Sequence, residues 1–390
     1  MSLAARLRPI TPSLTLSVSS QAKAMRAAGQ PVWDLSAGEP DFDTPEAIKA
    51  AAKLALDRGM TKYGPAAGLP ELRAALAAKL KQDNGLPYTS DQVMVTNGGK
   101  HALFNLMMVL LEAGDEAIIP SPYWVSYPEM VKLVGATPIL VPTNVGHDYK
   151  ITPTQLAAAI TPQTKLFVLN SPGNPTGSVY TPDEIQALAA VLAQHPQVWV
   201  VSDEIYEKIC YDGALHFSIA ACPELYDRTL IANGFAKAYS MTGWRVGYLA
   251  GPKEVIAAAT VVQGHSTSNV CTFAQSGAIA AVTGSQDCVA AMTAAFAERR
   301  EAIYARVHAI PGLICPKPTG AFYLFPDISA LGIDSQTFCA KLLQEEGVAL
   351  VPGIAFGADT NIRLSYATDR QTIDEACDRL HQFVLRQSRS

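Results

Sequence analysis

Through the middle of the chain, short apolar runs rich in β-branched residues alternate with alanine-rich stretches, and few architectures accommodate that rhythm. Residues 92–96, 116–120, 165–170, 198–202 and 230–233 predict strands, with helical stretches between them. Near-continuous apolar runs belong to a buried parallel sheet, whose ligands collect in the loops that follow the strand ends. The chemically interesting residues of this region lie just after such runs. Past about residue 285 the pattern changes, with a long alanine- and charge-rich helix over 290–308 and strands over 320–325 and 362–366. The expectation is an α/β protein with an N-terminal arm over 1–44 that joins a small domain, a large domain over 45–285, and a small α+β domain over 286–390. No flexible linker separates the lobes, so an extensive shared interface is expected.

Composition narrows the partners. With 49% hydrophobic and 17% charged residues, the 390-residue chain has the make-up of an ordinary soluble globular protein. A net charge of -5 without runs gives no basic stripe for nucleic acid. Stretches such as 187–201 are broken by Gln194, His195 and Pro196, well short of a membrane span. Seven scattered cysteines, with no Cys-x-x-Cys pair, read as reduced structural thiols and fit a cytoplasmic protein. The histidines lack ligand spacing, so no metal site is expected. Residues 1–33 carry Arg6, Arg8, Lys23 and Arg26 without an acid, a composition shared with transit peptides.

The segment Asn233-Gly-Phe-Ala-Lys-Ala-Tyr-Ser-Met-Thr-Gly-Trp-Arg-Val-Gly-Tyr248 sets Lys237 among small and aromatic residues, with Arg245 eight positions on. Apolar surroundings disfavour an ammonium and so supply the neutral amine that imine formation needs. An arginine offers a planar fork to phosphate oxygens. Together they suggest pyridoxal phosphate (PLP), although a Lys and an Arg at this spacing are common in any chain. Val95-Thr-Asn-Gly-Gly-Lys-His101 offers a strand end, two glycines and a helix start, where backbone N–H groups accept an anion; taken alone it is equally a plain turn. Asp203, ending an apolar run, needs a partner or serves as a helix cap. Arg363, inside an alternating strand, wants an anion, whether a ligand or an internal carboxylate. Trp124 lies in an aromatic loop, able to face a flat cofactor or to pack in the core.

The run Lys-Ala-Tyr-Ser-Met-Thr-Gly-Trp-Arg-Val-Gly-Tyr resembles the cofactor-lysine segment of class I aminotransferases, in the branch that holds many bacterial aspartate aminotransferases. The likeness extends over nearly the whole chain. It implies the fold type I of PLP-dependent transferases, with a mostly parallel seven-stranded sheet flanked by helices and a smaller α+β domain. It implies that Lys237 holds the cofactor and then moves the substrate's Cα proton. Gly98, Gly99, Lys100 and Arg245 would surround the phosphate. Asp203 would face the protonated pyridine nitrogen, and Trp124 would stack on the ring. Tyr206, with Asn174 of Ser171-Pro-Gly-Asn-Pro-Thr-Gly177, would reach the phenolic oxygen. Arg363 would clamp the substrate α-carboxylate, assisted by the backbone of Gly38. Tyr63, in Thr61-Lys-Tyr-Gly-Pro65, would reach the neighbouring subunit's phosphate, which implies a homodimer with shared active sites; Ser268 and Asn269 would also cross that interface. Thr11-Pro-Ser-Leu-Thr-Leu16 resembles the family's mature start, an arm over the active site, so a removable leader is not expected.

The substrate follows from the same resemblance. This branch uses a lysine for the second carboxylate of a dicarboxylic substrate, and Lys100 stands at that position, a role set against that of a solvated helix-start lysine. With Trp124 and Asn174 also bordering the substrate, the implied reaction is transfer of the amino group of L-aspartate to 2-oxoglutarate with ping-pong kinetics. Similar proteins acting on prephenate often carry a basic residue where this chain has Thr11. Aminotransferases for aromatic or other amino acids share the same cofactor residues, differing around Lys100, Thr11 and Ser13. A PLP-dependent lyase and a cofactor-sensing regulatory domain are the alternatives from other classes.

Overall fold

The computed structural model describes residues 4–387; the first three residues of the N-terminal arm and the last three of the chain lie outside the described residues. Seven strands form one sheet: β1 Val93–Thr96, β2 Glu116–Ser121, β3 Thr137–Pro142, β4 Thr164–Asn170, β5 Trp199–Asp203, β6 Thr229–Gly234 and β7 Gly247–Ala250. Their spatial order is β1-β7-β6-β5-β4-β2-β3. Neighbours from β6 through to β3 are parallel, while β7 runs antiparallel to both β6 and β1. Six strands therefore point one way and their carboxyl ends share one edge.

The apolar runs read from the sequence become central strands because both of their faces are covered. Every residue of β1 is buried, as are four of the five in β5. On one side Leu103, Leu106 and Met107 of the helix Gly99–Leu110 pack on Met94, Val168 and Val201; on the other, Ile185 and Leu188 of the helix Pro182–Ala193 pack on Phe167 and Val200. That second helix starts at Thr181, whose side chain accepts from the N–H of Glu184 while Glu184 accepts from the N–H of Thr181.

Two strands of this sheet were not expected from the sequence. β3 carries Pro138 and Pro142 and is largely solvent-facing, which only an edge strand tolerates. β7 falls inside the Lys237 segment, where the chemistry of the motif hides a four-residue strand. The expected strand over 320–325 shrinks to Tyr323–Leu324, since Ala321 adopts φ +54° and leaves the extended region. The helix expected over 290–308 starts earlier, spanning Asp287–His308.

The N-terminal segment joins the C-terminal part of the chain. Trp33–Asp34 pairs in parallel with Val348–Ala349, and Leu35 lies in one core with Phe296, Phe338 and Leu380. Tyr206, Ile209 and Tyr211 contribute to that same core from the other side, and the N–H groups of Thr319 and Gly320 donate to the Gly177 carbonyl at 3.1 and 2.8 Å. Gly177 has φ +68°, and a Cβ there would stand 2.5 Å from Cβ of Pro318, so only glycine lets the two segments meet so closely.

Candidate active site

The candidate residues converge at the edge where the six co-directional strands end. Gly98 and Gly99 follow β1, Trp124 follows β2, Asn174 follows β4, Asp203 closes β5 with Tyr206 just beyond, and Lys237 follows β6. Arg245 precedes the antiparallel β7 and thus arrives at the same edge. Residues 148 positions apart in the chain become neighbours through this topology: Arg245 Nη2 lies 3.5 Å from the Asn97 carbonyl.

At the β1 edge, a Cβ on Gly98 would fall 2.6 Å from Nη2 of Arg245, and Gly98 has φ +86°. The glycine therefore opens a cradle walled by a guanidinium and followed at once by the N-terminus of the helix Gly99–Leu110. Gly247 lies behind this turn: a Cβ there would stand 2.5 Å from the backbone of Gly98 and of Gly99. Arg245 itself takes φ +54° and donates from Nη1 to the Thr242 carbonyl at 2.8 Å. Partial positive charge from the helix start and the guanidinium of Arg245 suit this edge to an anion.

Lys237 lies in the middle of the edge. Its ammonium donates to the Gly38 carbonyl and stands 5.7 and 5.8 Å from the ring centres of Tyr206 and Phe322. Burial, reinforced by Arg363, lowers its pKa to about 8 against the opposing pull of Glu39 and Asp203. Asp203 is shifted the other way. Burial raises its carboxyl to about 6, while hydrogen bonds from the Tyr127 hydroxyl (2.6 Å) and the Ile205 N–H (3.2 Å) hold it down. Tyr127 packs edge-on against Trp124, and Lys100 stands 4.9 Å over the Trp124 ring with its pKa lowered by burial and by Arg245.

Arg363 is 3% exposed and, among the described residues, has no carboxylate partner; it donates to Oδ1 of Asn174 at 3.0 Å and to the Ser36 carbonyl at 2.8 Å. Its Cζ lies 4.6 Å from the centre of the Tyr323 ring, and its Nε has no hydrogen-bond partner among the described residues. The internal salt bridge that the sequence left open is not what holds it. Gly38 faces this pair, since a Cβ there would lie 3.4 Å from the Tyr323 hydroxyl and 3.9 Å from Nη2 of Arg363. The Tyr323 hydroxyl in turn lies 2.8 Å from that of Tyr206.

Two side chains in the cluster escaped the sequence reading. Tyr127 sits three residues after Trp124, one helical turn away, and Tyr323 stands in the strand that pairs with Arg363's own. Both are buried phenols, indistinguishable from core tyrosines until the fold places a carboxylate or a guanidinium beside them. Of the expected residues, Tyr63 is not gathered in. It is 93% exposed. Its loop lies beside Asn269 and Thr272, for a Cβ on Gly64 would be 3.7 Å from Asn269 Nδ2 and 3.1 Å from Thr272 Cγ2.

A family model described as aminotransferase class I and II matches residues 30–380. The chain belongs to the class I and II aminotransferases. Among these aminotransferases, an aspartate aminotransferase of Geobacillus stearothermophilus is 51% identical over 98% of this chain and 99% of its own length. An aspartate/prephenate aminotransferase of Cereibacter sphaeroides is 49% identical, with 97% of each chain covered. In solved structures, the aspartate aminotransferase of Rhizobium meliloti superimposes with a TM-score of 0.96 at 42% identity over 99% of both chains. That of Thermus thermophilus with maleate gives 0.94 at 44% identity over 98% of this chain and all of the other. The strand edge described above is thus part of an aminotransferase fold.

Proposed function

We propose that this aminotransferase uses PLP to transfer the amino group of L-aspartate to 2-oxoglutarate. What supports the cofactor is the fit of residues that have no other evident purpose. The Gly98–Arg245 cradle suits a phosphate, the Asp203 carboxylate suits a protonated ring nitrogen, and the Trp124 ring, edge-on to Tyr127, offers a flat face. PLP supplies an aldehyde that condenses with amines and a ring that accepts the electron pair released when the Cα–H bond breaks.

The protein's residues do the rest. Lys237, its amine partly neutral near pH 8, would hold the aldehyde and would serve as the base that takes the substrate's Cα proton. Asp203 would hold the ring nitrogen in its protonated form, with Tyr127 keeping the carboxylate in place. Asn174 and Tyr206 would address the phenolic oxygen; burial and then the neighbouring Tyr323 hydroxyl keep Tyr206 protonated, so it would serve as a donor. Arg363, aligned by Asn174 and the Ser36 carbonyl, binds the α-carboxylate and orients Cα–H. Lys100 binds the distal carboxylate of aspartate. Tyr63, exposed on its own subunit, completes the phosphate site of a second copy in a homodimer, with Ser268 and Asn269 at the same surface. The division into an arm over 1–44, a large domain over 45–285 and a small domain over 286–390 belongs to this reading. So does a cytoplasmic location, with all seven cysteines free.

The observation that carries the aspartate assignment is near-complete coverage at about 50% identity to relatives named for that substrate. Prephenate is a weaker candidate, because Thr11 offers no cation and spends its N–H and hydroxyl on Glu129 at 3.0 and 2.9 Å. Assaying a panel of amino donors with 2-oxoglutarate, and of oxo acids including prephenate with aspartate, tests this directly: aspartate is expected to lead and prephenate to trail. Lys237→Ala should fold normally yet lose the visible absorbance of bound PLP and all turnover; retained turnover would refute the assignment. Lys100→Ala should raise KM for aspartate at least about tenfold more than for phenylalanine, the loss of one charged contact. Equal effects would remove Lys100 from the specificity argument.

A further inference from the structure

Asp203 is followed directly by a second buried carboxylate that the reaction does not use. Glu204 is 0% exposed and sits in a cluster of its own. Its Oε1 accepts from the hydroxyls of Ser202 (2.8 Å) and Ser218 (2.5 Å), and His216 Nε2 stands 3.1 Å from its Oε2 in ion-pair contact rather than an aligned hydrogen bond. Alongside lies Glu207, which pairs with Lys79 and accepts from Asn84 Nδ2 at 3.0 Å. Glu204, Glu207 and His216 are close enough together to bind a metal ion, but both Glu207 oxygens are already taken, one by the Lys79 ammonium and one by Asn84 Nδ2.

Charge balance decides what the cluster does. Three carboxylates, at 203, 204 and 207, are held within five residues and away from water, and Lys79 neutralises only Glu207. The other titratable groups facing the cluster cannot supply a positive charge: Tyr88, Tyr226, Tyr239, Tyr248 and Cys210 are held protonated and neutral by burial, and the Asp83–Lys208 pair cancels itself. Lys237 acts on Asp203 itself and lowers its pKa, while His216 is the cation in contact with Glu204. Burial works against its charge, but Glu204, and then Glu207, hold its pKa above the ordinary histidine range despite Lys79. Without that cation, Glu204 would push the Asp203 carboxyl further toward protonation, a direction in which it already acts.

We propose that His216 is a positioning residue for the transamination site, its imidazolium neutralising Glu204 so that Asp203 can stay ionised beneath the cofactor's ring nitrogen. The proposal rests on reading the site as one for PLP.

The test is binding of pyridoxamine 5′-phosphate, which has the ring and phosphate but no aldehyde, to the apoprotein at pH 7, followed by quenching of tryptophan fluorescence. His216→Gln should weaken binding about tenfold, the equivalent of one pKa unit at Asp203. The double variant His216→Gln/Glu204→Gln, which removes both charges, should return to within about threefold of wild type. An analogue with carbon in place of the ring nitrogen should bind all three proteins alike. Equal weakening in single and double variants, or weakening that persists with the carbon analogue, would mean a packing role only and overturn the proposal. If His216→Gln does not fold, Glu204→Gln decides: the His216 imidazole, followed by NMR in the apoprotein, should titrate at lower pH than in wild type, and an unchanged titration would overturn the proposal. A wild-type protein that binds neither compound would instead bring down the PLP reading, and this inference with it.

Discussion

Asp203 and Lys237 show how burial sets chemistry one side chain at a time. The same loss of water raises the carboxyl and lowers the ammonium, because it penalises the charged form of each. Incorporation of PLP into apoprotein should therefore accelerate as pH rises through about 8, well below the titration of an ordinary lysine, since only the neutral amine attacks; a rate still climbing past pH 10 would contradict this. Tyr127 supplies the contact that keeps Asp203 useful. Tyr127→Phe leaves the carboxylate with the Ile205 N–H as its remaining donor, pushes its pKa further up, and should lower kcat/KM for aspartate about tenfold, the value of one hydrogen bond to a charged group. The melting temperature should move little. Unchanged kinetics would show that the hydroxyl is a spectator. Lys237 was legible because an amine and an arginine in a distinctive segment announce themselves, whereas Tyr127 carries no local signal: a tyrosine in an aromatic loop acquires a role only when β5 ends beside it.

At the level of elements, the decisive contact is between β7 and the turn after β1. β7 is antiparallel between two strands of the opposite direction, and Gly247 packs against the backbone of Gly98 and Gly99 with no room for a Cβ. Gly247→Ala should cost about 1–3 kcal/mol of stability through overpacking, measured by urea unfolding, and should also weaken PLP binding by displacing the glycine turn. Stability and affinity both at wild-type level would show that the turn is not held in this way. The central strands were readable because burial on both faces leaves a continuous apolar run. β3 was not, since an exposed edge strand with two prolines lacks that signature, and β7 was not, since four residues within a site motif carry too little pattern.

Across the whole molecule, the prediction concerns Tyr63, exposed in the single chain and assigned to a neighbour's phosphate. Mixed dimers of Lys237→Ala and Tyr63→Phe subunits distinguish shared from separate sites. If the sites are shared, both defects fall in one site of the hybrid and the other is wild type, binding PLP with full affinity; if separate, every site carries a defect. Among the described residues, no helix is long and apolar enough to cross a membrane.

What the chain's order of residues determined by itself was local: apolar runs long enough for buried strands, paired glycines at a strand end, and an amine in apolar company. Those follow from periodicity and side-chain chemistry, which act over a few residues. Tertiary structure alone decided which distant groups became partners, with Arg363 on Asn174, Tyr127 on Asp203 and Arg245 over Gly98. The reason is physical. A hydrogen bond or a pKa shift depends on distance and exclusion of water, and both are fixed only when six strands of one direction bring their ends to a single edge.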